Sequence, residues 1–175
     1  MKKSADIFVG KFESFFWIRV NGRGTFQISP LIKEALEQEA SSGWPDYVID
    51  LEECPGMDST FMGTLAGIGM RLQKLKEGRL SILGTDAKNR NSLEELGLDY
   101  LMEIEPEGRA WEGRLDEIRA GLNQFFGEEE NSGEDHILES HENLCEADSS
   151  NQERFKTVLE VMGSNKFSPS SDKPD

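Results

Sequence analysis

The sequence predicts an α/β fold, because short apolar segments alternate with longer segments whose apolar residues recur at helical spacing. The clearest strand covers residues 47–51, and a helix with an apolar inner face follows from Ser59 to about Lys76. Residues 79–84 form the next predicted strand. A strand, a helix and a second strand in this order make the repeating unit of a parallel sheet.

Two strands and one helix are predicted before this unit. Residues 6–10 and 15–21 read as strands, and the second has apolar residues on both faces along its first half. A helix follows over residues 29–40. Ser29 is its predicted cap, and Pro30 lies in the first turn, where a missing N–H group costs nothing.

Three shorter elements are predicted after the central unit. Residues 92–97 form a short helix that ends at a glycine, and residues 101–104 form the last strand. Apolar residues at helical spacing then predict an amphipathic closing helix over residues 111–125.

The composition divides the 175 residues into four parts. Residues 5–126 carry the alternating strands and helices, and residues 127–135 are an acidic linker. Helical spacing returns over residues 136–163, with a break expected at residues 148–151. Residues 164–175 are rich in Ser, Pro, Lys and Asp, and we expect a disordered tail there.

The apolar residues at helical spacing in the C-terminal extension form one apolar face, and this face has to be buried. We expect it to dock on the domain or to form a homodimer with a second copy, and binding of another protein is the remaining alternative.

The charge and the apolar content exclude several classes of partner. A formal net charge of −15 argues against binding to nucleic acid and to anionic membranes, which are bound mainly through Lys and Arg. No apolar run approaches the roughly 18 residues that a membrane span needs. Cys54 and Cys145 are isolated, which favours a reducing, cytoplasmic location.

Catalysis and metal binding have little support in the sequence. The histidines, His136 and His141, both lie in the extension and are five residues apart, so they share a helical face poorly. Ser59 lacks the G-x-S-x-G frame of a hydrolase. Gly63 and Gly67 lie inside a helical pattern without the Lys-Ser/Thr ending of a phosphate-binding loop, so we assign them to close packing. We expect no enzymatic activity, no metal ion and no cofactor.

The start of the helix after residues 47–51 is the candidate site. Asp58, Ser59 and Thr60 all favour the N-terminal end of a helix. Unpaired N–H groups and the helix dipole make such an end a good place for a phosphate, so Ser59 is a candidate phosphorylation site. The alternative is that Asp58 or Ser59 only caps the helix, which is worth about 1 kcal/mol.

Residues 48–51 and 57–60 resemble the signature of STAS domains, the family of bacterial anti-sigma factor antagonists. In that family a strand ends in Asp-Leu, and a phosphorylatable serine follows the Asp of a DSSG.G motif at the start of the next helix. Residues 48–51 end in the same Asp-Leu pair, and Ser59 follows Asp58. Thr60 replaces the second serine.

Two further positions complete the comparison with the motif. Phe61 stands where the family usually has glycine, and Gly63 falls on the second glycine. The resemblance covers residues 5–126 and implies a mixed sheet of about four to five strands covered by helices.

The resemblance implies a regulatory binding protein in a partner-switching pathway. The unmodified protein binds a kinase-type anti-sigma factor and so frees a sigma factor, and phosphoserine at Ser59 breaks the complex. Its implied contact residues are Asp58, Ser59, Thr60, Phe61 and Met62. The alternative is a constitutive STAS subunit of a transporter-associated or stress-signalling assembly, in which Ser59 is only a helix cap.

Overall fold

The structure, a computed structural model, describes residues 4–76, 78–127 and 133–166 and contains a six-stranded sheet. The strands are β1 (Asp6–Lys11), β2 (Phe15–Asn21), β3 (Asp46–Asp50), β4 (Arg79–Leu83), β5 (Glu103–Ile104) and β6 (Asn123–Gln124). The α-helices are α1 (Ser29–Glu39), α2 (Ser59–Leu75), α3 (Ala87–Glu95), α4 (Leu115–Ala120), α5 (Glu134–Ala147), α6 (Asn151–Arg154) and α7 (Lys156–Lys166). A 3-10 turn covers Leu98–Tyr100.

The sheet is mixed, and its order is β5-β4-β3-β2-β1-β6. β1 and β2 form an antiparallel hairpin, and β2, β3, β4 and β5 are parallel neighbours. The helices α1, α2 and α3 lie in the three connections between these parallel strands. The predicted α/β class and the mixed sheet covered by helices are confirmed, with one strand more than the four to five that we expected.

The additional strand is β6, and it replaces part of the predicted closing helix. Only α4 is helical within residues 111–125, and β6 then pairs with the free edge of β1. Gly113 has a positive φ of 73° before α4, and Gly121 ends the helix. The helical spacing of Trp111, Leu115, Ile118 and Leu122 has another cause, because all four cover one face of the sheet.

The sheet separates two apolar clusters. The larger one lies between the sheet and α1, α2 and α3. The smaller one lies on the other face, under α4, and consists of Phe15, Trp17, Val48, Leu83, Trp111 and Ile118. β2 contributes to both clusters, which confirms that both of its faces are apolar.

Several element boundaries differ from the predicted ones, and the largest difference is in α3, which covers Ala87–Glu95 and not residues 92–97 because Asp86 caps it. Ile28, rather than Ser29, is the N-cap of α1, because the backbone N–H groups of Ile28 and Ser29 both donate to the carbonyl of Thr25 in a preceding turn. Pro30 lies in the first turn as predicted. The last parallel strand is β5 alone, because residues 101 and 102 belong to the turn before it.

The C-terminal extension folds back onto the same chain. α5 packs along α2, and α7 packs against α5. α5 begins at Glu134, inside the predicted linker, and α7 continues through residues 164–166 of the predicted tail. Residues 128–132 of the linker and 167–175 of the tail lie outside the described residues.

Candidate functional site

Asp58 is the N-cap of α2, and its carboxylate accepts two backbone N–H groups. Oδ1 accepts from Phe61 at 2.8 Å, and Oδ2 accepts from Phe26 at 2.8 Å. The first bond caps α2 and the second ties down the loop that precedes α1. Asp58 therefore positions the start of α2, and the idea that Ser59 serves as the cap is wrong.

Ser59 is the first residue of α2, and its side chain contacts the C-terminal extension. Its Oγ lies 2.9 Å from Nε2 of His141, while Nδ1 of the same imidazole lies 2.8 Å from the carbonyl oxygen of Ile137. A carbonyl only accepts, so Nδ1 carries the proton. Nε2 of a neutral imidazole is then an acceptor, and the Ser59 hydroxyl donates to it. The ring of Phe155 packs edge-on against His141.

A second histidine of α5 also binds hydroxyl groups of the domain. Nε2 of His136 lies 2.9 Å from Oγ of Ser29 and 3.4 Å from Oγ1 of Thr64. Thr64 also contacts the Ser140 hydroxyl at 3.1 Å. Burial, and then the nearby Lys33, lower the pKa of His136, which favours its neutral form.

The backbones of α2 and α5 touch at a glycine. A Cβ atom added to Gly63 would lie 2.1 Å from the carbonyl oxygen of Ser140, and one added to Gly67 would lie 2.5 Å from Nδ2 of Asn143. Close packing was predicted for both glycines, and α5 is the neighbour. We call the surface of α2 formed by Ser59, Gly63 and Gly67 the serine face.

The other residues predicted to contact a partner are buried. Thr60 is 5% exposed, Met62 is 8% exposed and Phe61 is not exposed at all. The ring of Phe61 packs against Gly24, where an added Cβ would lie 2.9 Å from it. Asp58 and Ser59 are partly exposed, whereas Phe61 and Met62 support the helix from the core.

Asp50, from the predicted Asp-Leu pair, lies on the other face of the sheet. Its carboxylate is fully buried and accepts from Arg119 Nε at 2.8 Å, Arg119 Nη2 at 3.1 Å and Trp17 Nε1 at 3.3 Å. The hydrogen bond to Asp50 raises the pKa of Arg119. Asp50 therefore joins α4 to the sheet and does not contact Ser59.

Both histidines were weighed for catalysis and metal binding from the sequence, and their contacts with the domain were not predicted. Nothing in the spacing of His136 and His141 indicates that they meet hydroxyls of α1 and α2. Ser59 and His141 have the hydrogen-bond distance of a nucleophile and its base. In a catalytic triad a third group orients the base, and here that group is the carbonyl of Ile137. The helix that supplies the imidazole, α5, lies over the serine face.

The described residues contain neither a metal cluster nor a membrane span. No group of three or more His, Cys, Asp or Glu side chains there could hold a metal ion. Nor does that part of the chain contain a helix that is long and apolar enough to cross a bilayer.

Comparison with solved structures gives the same fold. An anti-sigma factor antagonist from Mycobacterium paratuberculosis matches with a TM-score of 0.53 and 21% identity over 66% of this chain and 95% of the other. The NMR structure of the protein TM1081 matches with a TM-score of 0.51 and 16% identity over 63% of this chain and 86% of the other.

Comparison at the sequence level gives the family. No curated protein sequence matches the chain. The sequence pattern of the STAS domain, however, matches residues 9–109, which is more than half of the chain. This range contains the sheet from β2 to β5 and the whole of α2, including Asp58 and Ser59. The chain therefore belongs to the STAS domain family.

Proposed function

We propose that this protein is a regulatory binding protein of the anti-sigma factor antagonist type. In this proposal it binds a kinase-type anti-sigma factor through the N-terminal end of α2, and phosphorylation of Ser59 dissociates the complex. The protein acts by binding and not by catalysis, and it works in the cytoplasm without a cofactor, a nucleic acid or a membrane. The net charge of −15 favours a protein partner over nucleic acid or an anionic membrane.

The position of Ser59 carries this proposal. Its hydroxyl lies at the N-terminal end of a 17-residue helix, but Asp58 already provides the cap. The Ser59 side chain therefore does not cap the helix, and it is hydrogen-bonded to the imidazole of His141 instead. A phosphoryl group there adds roughly two negative charges and three acceptor oxygens at the proposed contact surface, which opposes binding through repulsion and desolvation.

Mapping of the modified residue tests the proposal. Mass spectrometry of the protein purified from its source organism, during growth and under stress, should find phosphate on Ser59. Phosphate on Thr60 only, or on other residues only, contradicts the proposal.

Affinity measurements test the effect of the modification. The anti-sigma factor should be identified by copurification with tagged Ser59→Ala protein and then measured against purified variants. Ser59→Asp should bind it at least 10-fold more weakly than wild type, and Ser59→Ala should bind about normally. Equal affinity of all three forms favours the alternative, a constitutive subunit of a larger assembly.

A further inference from the structure

We propose that α5 is an intramolecular competitor for the serine face, and that it must leave this face before a kinase or a partner can bind there. The identity of the competing molecules rests on the proposed function. The competition itself rests only on how α5 and α2 pack.

Steric contact between α2 and α5 closes the serine face to a second molecule. The Ser140 carbonyl lies so close to Gly63 that not even a methyl group fits between the two helices at this point. Asn143 covers Gly67 one turn further along α2. A second molecule therefore cannot contact this part of the serine face while α5 is in place.

Docking of α5 depends on the chemical state of Ser59. Its hydroxyl donates to Nε2 of His141, a residue that is 4% exposed. A phosphoryl group on Oγ replaces the proton of this bond, and a phosphorus atom with three oxygens cannot fit in the 2.9 Å that separates Oγ from Nε2. The buried imidazole of His141 has to move to make room, which costs free energy in the docked state only. Modification of Ser59 and docking of α5 therefore oppose each other.

The part of the interface near Ser59 is suited to release. Near Ser59 it consists of small residues and hydroxyls: Ser29, Ser59 and Thr64 on the domain, and Ser140 on α5. Leu144 and Ala147 bury apolar side chains at the other end of α5. A pocket of about 160 Å³, partly open to solvent, lies between α1, α2 and α5, so the helices do not close fully over each other there. α5 also carries five Asp or Glu residues and no Lys or Arg, and Glu139 pairs with Lys33 of α1.

The C-terminal end of α5 stays attached to the domain when the rest of the helix leaves. Asn151 Nδ2 donates to the carbonyl of Leu96 at 3.0 Å, and the Tyr100 hydroxyl donates to the carbonyl of Ala147. These bonds hold the C-terminal end of α5 beside α3, away from Ser59. A tethered segment competes at a high effective concentration, so a partner has to bind tightly to displace it.

Two glycine variants of the full-length protein test the docking. Gly63→Ala removes the space for a backbone carbonyl, whereas Gly67→Ala meets the end of a flexible Asn143 side chain. Both substitutions favour a helical α2, because Ala is a better helix former than Gly. Hydrogen exchange of residues 134–147 should be at least 10-fold faster in Gly63→Ala than in wild type, with β2 and β3 still protected. Gly67→Ala should stay within about threefold of wild type. Equal exchange in both variants overturns the proposal.

Accessibility of position 59 tests the competition directly. Iodoacetamide is the probe, Ser59→Cys supplies a thiol at the site, and peptide mass spectrometry separates this introduced thiol from those of Cys54 and Cys145. Adding Gly63→Ala to this variant should raise the alkylation rate of the introduced thiol at least 10-fold. An unchanged rate overturns the proposal.

A modified-state mimic repeats the test without a glycine change. Ser59→Glu should also speed exchange of residues 134–147, and wild-type exchange in this variant would show that modification of Ser59 does not oppose docking of α5. If exchange is faster in these variants but no phosphate is found on Ser59 in the organism, α5 competes for the serine face and the proposed function is wrong.

Discussion

The Ser59 hydroxyl donates to Nε2 of His141 across 82 residues of chain. This bond links the first residue of α2 to the middle of α5. Ser59 and the C-terminal extension are therefore structurally coupled, and we expect a change in one to alter the stability of the other.

The first prediction concerns the bond between Ser59 and His141. Each partner is replaced singly and together by Ala, and the free energy of unfolding is measured in urea. Because the bond is buried at the imidazole, we expect a coupling energy of about 0.5–1.5 kcal/mol between the two substitutions. A coupling energy near zero would show that the bond adds nothing to stability.

The second prediction concerns Asp58 as a double acceptor. Asp58→Ala removes both the cap of α2 and the tie to Phe26, so we expect a loss of about 2 kcal/mol and a Tm lower by roughly 4–8 °C. Asp86→Ala is the matched control, because Asp86 caps α3 through its bond to the backbone N–H of Asn89. The loss should be smaller in the control, and equal losses would contradict the role of the tie to Phe26.

The third prediction concerns pH. Burial lowers the pKa of His136 in the folded protein, so the unfolded chain binds more protons as the pH falls below the ordinary His value of 6.5. The contribution to stability is therefore complete above pH 6.5 and is lost as the pH falls towards the folded pKa. Urea unfolding at pH 7.5 and 5.5 should show a smaller loss on acidification in His136→Gln than in wild type. The same loss in both proteins would count against this assignment.

The fourth prediction concerns the ion pair under α4. Arg119→Leu leaves the fully buried carboxylate of Asp50 without its main partner, which should cost about 3–5 kcal/mol. The double variant Asp50→Asn with Arg119→Leu should recover part of this loss, because no buried charge then remains unpaired. Calorimetry compares the two, and a double variant less stable than Arg119→Leu would argue against a charge effect.

The fifth prediction concerns deletion of residues 128–175. Leu144 is fully buried against the domain core, and one such side chain is worth about 1.5–3 kcal/mol. The truncated protein should therefore melt at a lower temperature than the full chain. Light scattering should give the mass of a monomer for the full chain, because α5 already covers the serine face. An unchanged Tm after truncation would mean that the extension does not stabilise the domain.

The central part of the fold was predictable because its signals are local. The apolar run of β3, the turn after it and the favourable Asp58 specify a strand followed by a helix without help from the rest of the chain. β6 was not predictable in this way. Two residues carry no periodicity, and Asn123 and Gln124 form a strand only because β1 has a free edge.

The candidate site shows the same division. The position of Ser59 at the start of α2 follows from neighbouring residues. The contacts that give it a chemical environment join distant residues: Ser59 to His141, and Ser29 to His136 over 107 residues. Pairings of this kind depend on how α5 lies on the domain, and no spacing in one sequence contains that information.

The tryptophans on the second face of the sheet have a practical consequence. The rings of Trp17 and Trp111 lie 5.9 Å apart at a steep angle, in the cluster under α4 and on the opposite side of the sheet from α5. Their near-ultraviolet circular dichroism should therefore report on the folded state of the domain and remain silent when α5 moves. The tryptophan signal can therefore serve as a reference in the same sample. If a probe on α5 changes while the tryptophan signal does not, α5 has opened locally and the domain has not unfolded.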